Sequence, residues 1–150
     1  VETKMSRPPP SREGNYSSLK FLGEGSAGQV YQATHVKTSQ RVAIKKVQLS
    51  DEDFKYIKAE IQIMQASVHA NVAMFLDCFV GTDTLLWIVM ELMDKGSLAD
   101  YLMDGILLRE PQIAYMCNEV LKGLNYLHKS SRIHRDLKSD NILLKTNGQV

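Results

Sequence analysis

Near the end of the chain, His134-Arg135-Asp136-Leu137-Lys138-Ser139-Asp140-Asn141 places a carboxylate, an ammonium group and an amide in one short polar loop. Asp136 can orient a hydroxyl and accept its proton. Lys138, two residues later, can neutralise a phosphoryl group in transit, and the amide oxygen of Asn141 can hold Mg²⁺. A chance polar turn rarely presents these residue types at this spacing.

Three weaker signals lie upstream. Gly23-Glu24-Gly25-Ser26-Ala27-Gly28-Gln29-Val30 is a glycine-rich loop whose N–H groups can approach an anion with no side chain in the way. Alone it reads equally well as a glycine-rich hairpin. A dinucleotide-binding turn would need a helix to open at the third glycine, whereas Val30-Tyr31-Gln32-Ala33 continues as strand. In Val42-Ala43-Ile44-Lys45, strand alternation puts Ala43 and Lys45 on one face and Val42, Ile44 and Lys46 on the other. A small residue beside a lysine can floor a flat ring and hold a phosphate; alone, an ordinary edge-strand lysine explains Lys45 better, and Lys46 is read as one of that kind. Glu60 follows fifteen residues after Lys45, between Ile57 and Met64 of an apolar stripe. The spacing points it towards the interior, where a carboxylate needs a partner such as Lys45; a solvated flank position fits as well.

The elements that must position these groups follow from hydrophobic periodicity. Residues 1–15, with Pro8, Pro9 and Pro10, read as linker. Strands are predicted over 16–23, 29–36, 41–49, 72–80 and 85–92, the last two joined by Gly81-Thr82-Asp83-Thr84. Phe54, Ile57, Ile61 and Met64 predict a helix over 51–66. From Gly96 the character is helical. Ile113, Met116, Cys117, Val120, Leu121, Leu124 and Leu127 make a long amphipathic helix of 110–129, followed by a polar stretch, a short strand over 142–144 and a turn at Thr146-Asn147-Gly148. The fold class is α+β, with a strand-rich part over 16–92 and a helical part over 93–150.

Composition narrows the function classes. With 150 residues, 44% hydrophobic and 23% charged, the chain is neither collagenous, low-complexity nor wholly disordered. Its 18 basic and 17 acidic residues argue against nucleic acid as main partner. Cys78 and Cys117 are too few for a disulfide framework, which favours a reducing compartment and a cytoplasmic location. The longest apolar run, Leu85 to Met90, reaches about a third of a membrane span. His35, His69, Cys78, Cys117, His128 and His134 lack the paired spacing of a closed zinc site.

Jointly, the glycine loop, the Val-Ala-Ile-Lys strand, the helix glutamate and the His-Arg-Asp loop resemble the eukaryotic protein kinase family in order and spacing. Lys138-Ser139-Asp140-Asn141 resembles its serine/threonine type. Leu86-Trp87-Ile88-Val89-Met90-Glu91, Gly96-Ser97-Leu98 and the stretch from His134 to Leu144 are similar to the sterile-20-like group, especially its small-GTPase-activated branch. The resemblance covers residues 16–150. It implies an upper lobe of five antiparallel strands with one helix, then the first part of a helical lobe. It also implies a serine/threonine kinase using ATP and Mg²⁺ on protein substrates, with a small GTPase acting on regions outside this chain. Leu22, Gly23, Glu24, Gly25, Ser26, Ala27, Gly28, Gln29 and Val30 would cover the ATP, with Ala43 against the adenine and Met90 behind it. Lys45 would hold the α- and β-phosphates and pair with Glu60, while Glu91 to Met93 would form the hinge. Asp136 would be the catalytic base, Lys138 its phosphate-stabilising partner and Asn141 the Mg²⁺ ligand, with His134 and Arg135 structural. His69-Ala70-Asn71-Val72 departs from the family's His-Pro-Asn-Ile/Val, which implies a looser turn.

The family's Asp-Phe-Gly motif would follow Gln149-Val150, so the chain reads as part of a longer protein: a fragment of an active kinase, or a truncated nucleotide- or partner-binding module. Residues 1–150 expressed alone are expected to lack kinase activity, to bind MgATP weakly at best, and to aggregate or depend on a chaperone, because each large apolar side chain left in water forfeits about 1.5–3 kcal/mol of burial. Size-exclusion chromatography with a radiolabelled phosphotransfer assay checks this; a soluble monomer that phosphorylates a generic substrate would contradict it.

Overall fold

The computed structural model describes residues 12–25, 28–48 and 54–150. After a 3-10 turn at Glu13–Asn15 come β1 (Tyr16–Gly25), β2 (Gly28–His35), β3 (Arg41–Val47), α1 (Phe54–Gln65), β4 (Phe75–Val80) and β5 (Leu86–Glu91). Two helices follow, α2 (Leu98–Met103) and α3 (Glu110–Lys129). The chain divides into two compact units, one running to Ala66 and including Phe75–Leu92, the other made of Ser67–Met74 and Met93–Val150.

The first unit is an antiparallel five-stranded sheet in the order β1-β2-β3-β5-β4. Its central strands are rich in β-branched and aromatic residues, which suit a pleated, half-buried surface. Alternation sends Ala33, Val42, Ile44, Phe79, Trp87 and Val89 to one face, where they form the core. Tyr16 stacks on Phe79 at 5.9 Å between ring centroids, and Phe79 meets Trp87 at 5.5 Å. Residues 12–15, read from sequence as the end of a linker, instead fasten to this sheet. Arg12 pairs with Asp77 at 2.6 Å, and Glu13 accepts the Thr82 N–H and hydroxyl, each at 2.7 Å.

The helix predicted over 51–66 is observed from Phe54, with 51–53 outside the described residues. Ile57, Ile61 and Met64 are its half-buried stripe. β4 begins at Phe75 and not at 72, because the residues before it are bound within the second unit. There the Tyr126 hydroxyl accepts the Val68 N–H at 2.9 Å, and the His69 ring stacks on Tyr126 at 4.8 Å. The Asn71 amide donates to Glu119 at 2.9 Å and to the Val150 carbonyl at 2.8 Å. The turn at 69–72 stays closed by the Val72 N–H on the His69 carbonyl at 3.1 Å, and Gln149 donates to the Ala70 carbonyl at 2.7 Å.

On α3, Met116, Val120, Leu124 and Leu127 are half-buried, while Ile113 and Leu121 are exposed. The strand predicted over 142–144 reduces to a single bridge between Ser97 and Leu143. Core and surface apolar residues should respond differently to truncation. Ile44→Ala, at 0% exposure, is expected to cost about 2–5 kcal/mol, whereas Leu107→Ala, at 92%, should stay within about 0.5 kcal/mol. Urea unfolding of both variants measures the difference.

Candidate functional site

Each unit carries one constellation. In the first, Lys45 lies opposite Val30 on β2 and Ile88 on β5, and Ala43 lies opposite Gln32 and Met90. Cross-strand partners share a face, so Val30, Ala43, Lys45, Ile88 and Met90 stand together on the face away from the aromatic core. Ala43, the small residue of this face beside the lysine, is buried.

The three loop glycines are not equivalent. Gly23 pairs with Val30 and Gly25 with Gly28, and a Cβ added at Gly23 or Gly25 would meet no atom within 4 Å. Their backbone is open to an approaching group. At Gly28, φ is +127° and a Cβ would run into the Lys46 carbonyl, so this glycine is demanded by the neighbouring strand. Ser26 and Ala27 lie outside the described residues.

Other candidates sit elsewhere. Glu24 and Gln29 pair with each other, and Gln29 also pairs with Lys46, which places both on the core-side face; Gln29 accepts the Tyr31 hydroxyl at 2.8 Å. Glu91 pairs with Val42 on that same face. Leu22 occupies the irregularity between Phe21 and Gly23 and is exposed. Met93 begins the second unit, its carbonyl accepting the Gly96 N–H at 3.1 Å. Glu60 corrects the sequence expectation that it turns inward. It is exposed, and among the described residues no ion pair joins it to Lys45. The physical reason is helical phase: residues 57, 61 and 64 define the buried stripe, and position 60 falls on its flank.

In the second unit, the Asn141 amide nitrogen donates to the Asp136 carboxylate at 2.9 Å and to the Asp136 carbonyl at 2.8 Å. Lys138 Nζ lies 3.6 Å from the same carboxylate, whose side chain is 69% exposed. Both amide bonds use nitrogen, leaving Asn141 Oδ1 as a hard oxygen ligand. Mg²⁺ needs only one or two such protein oxygens when phosphates complete its shell, so this donor fits the ion. Arg135 holds φ at +65°, an uncommon conformation for a side-chain-bearing residue that costs roughly 1–3 kcal/mol and often marks a functional loop.

The loop is fixed from behind. Leu98 N–H donates to Ile142 O at 2.8 Å, Leu144 N–H to Gly96 O at 2.9 Å and Lys95 N–H to Leu144 O at 3.0 Å. Asp94 accepts the Thr146 N–H at 2.9 Å and its hydroxyl at 2.7 Å. Ser97 and Asp100 cap α2 reciprocally, and the bonds from the Ser97 hydroxyl and N–H hold the Asp100 carboxyl below its ordinary pKa. These anchors escaped the sequence reading, although the Ser-x-x-Asp spacing of the cap was legible. Lys46 was also missed: it pairs with Asp83 and sits over Trp87, a contact that depends on β3–β5 register.

The protein kinase domain family profile matches residues 16–150. The chain is 45% identical over 137 residues to the serine/threonine-protein kinase pakC of Dictyostelium discoideum, covering 90% of this chain and 29% of the relative. It is 46% identical over 138 residues to serine/threonine-protein kinase 1 of Arabidopsis thaliana (90% of this chain, 16% of the relative). It is 44% identical over 137 residues to the ste20 kinase of Emericella nidulans (90% and 16%). The chain thus spans less than a third of these relatives. With the profile match covering both constellations, the chain belongs to the protein kinase domain family.

Proposed function

We propose that this chain carries the nucleotide-binding and catalytic-loop portion of a protein serine/threonine kinase of the sterile-20-like, small-GTPase-activated branch, working in the cytoplasm on protein substrates. The observation that carries the reading is the Asp136 carboxylate held by Asn141 with Lys138 beside it. Asp136, oriented by the Asn141 amide, accepts the proton of a substrate hydroxyl. Lys138 balances charge on the group being transferred. Asn141 Oδ1 would hold Mg²⁺, which when bound neutralises phosphate charge. On the sheet, Ala43 and Met90 would border the adenine while Lys45 and the open backbone of Gly23 and Gly25 hold the phosphates. Among the described residues no helix is long and apolar enough to cross a membrane.

A second reading, a nucleotide- or partner-binding module without catalysis, draws support from the exposed Glu60. Kinetics of the full-length protein separate the two. Asp136→Asn is expected to lower kcat by roughly 10²–10⁴-fold with little change in ATP affinity, because the carboxylate acts on the substrate hydroxyl. Lys45→Met should lower turnover through lost phosphate positioning. Near-normal phosphotransfer by Asp136→Asn would refute the catalytic assignment, and wild-type nucleotide binding without phosphotransfer would favour the second reading.

A further inference from the structure

Lys46 is held on the core-side face by groups from three separate elements. Its ammonium donates to Asp83 Oδ2 at 2.9 Å and stands over the Trp87 ring at 4.0 Å and the Tyr31 ring at 5.2 Å from the centroids. Only 14% of the side chain is exposed. Asp83 also accepts the Trp87 indole N–H at 3.1 Å and the Leu85 N–H at 3.2 Å. Burial alone would raise the Asp83 pKa, but the bonds from Lys46, Trp87 and the Leu85 N–H outweigh it and leave it lowered. A lysine enclosed by an acid and two aromatic rings is anchored as few surface lysines are.

This anchor reaches the opposite face through the backbone. The Lys46 carbonyl lies where a Cβ on Gly28 would be, so the return strand of the glycine loop rests on residue 46. In register, Lys46 faces Gln29 and Lys45 faces Val30, and successive side chains point to opposite faces. The residue whose side chain is clamped on one face is therefore the one whose backbone seats Gly28 and adjoins Lys45.

We propose that Lys46 is a positioning residue for nucleotide binding: clamped by Asp83 and Trp87, it holds Gly28 and Lys45 in the arrangement that receives the phosphates. The inference rests on the nucleotide reading above. It is tested in the full-length protein by MgATP titration calorimetry and steady-state kinetics with a peptide substrate. Lys46→Met and Asp83→Asn should each raise the ATP Kd and KM about three- to thirtyfold, leaving the peptide KM within about twofold. Lys46→Arg, which keeps the charge and the ring contact, should restore ATP KM to within about twofold of wild type. Asp83→Asn carries the test if Lys46→Met does not fold, since Asp83 does not touch the glycine loop strand. Lys45→Met in the same titration separates the two levels. If wild type does not bind MgATP, or Lys45→Met does not weaken binding, the nucleotide reading falls and this inference with it. If Lys45→Met weakens binding while Lys46→Met and Asp83→Asn leave ATP KM unchanged, or raise the ATP and peptide KM alike, the positioning role alone is overturned.

Discussion

The pairing of β3 with β2 on one side and β5 on the other is the constraint on which the first unit depends. Because side chains alternate, this register makes each face an obligatory partner of the other. Val42, Ile44, Trp87 and Val89 cannot be buried on one side without Ala43, Lys45, Ile88 and Met90 appearing on the other. A slip of one residue would put Lys45 into the aromatic core and Ile44 on the face proposed for nucleotide. The hydrophobic core thus acts as the register lock for the polar chemistry across the sheet.

In the second unit, hydrogen bonds between distant segments position the polar loop. The polar loop after α3 passes through the left-handed Arg135 and is caught at its far end by the backbone of 95–98 and the Asp94 carboxylate. Between those fixed points, Asn141 reaches back to Asp136 and determines how its carboxylate is presented.

Much of this was legible in the residues. Alternation in Val42-Ala43-Ile44-Lys45 correctly assigned the faces, and the apolar stripe of 110–129 gave α3 its observed length. The family followed from four motifs in order, and the profile match over residues 16–150 agrees. What was not legible depends on contacts between distant segments. Lys46 looked like an idle neighbour of Lys45 because nothing local brings Trp87 and Asp83 to it. Residues 12–15 looked like linker because their partners, Asp77 and Thr82, lie more than sixty residues on. Glu60 was misjudged for a different reason: neighbours at −3 and +4 bracket an interior position or a flank equally well, and only packing chooses.

The central claim, that the nucleotide is received on the Lys45 face and not on the Lys46 face, can be read by chemistry at two adjacent residues. An acyl-phosphate derivative of ATP transfers its acyl group to an amine lying beside the bound phosphates, and tandem mass spectrometry of the digested full-length protein locates the modified lysine. Lys45 is expected to be acylated, with the labelling suppressed by excess MgATP and Lys46 unmodified. Labelling of Lys46 in preference to Lys45, or labelling of Lys45 that MgATP does not suppress, would contradict it.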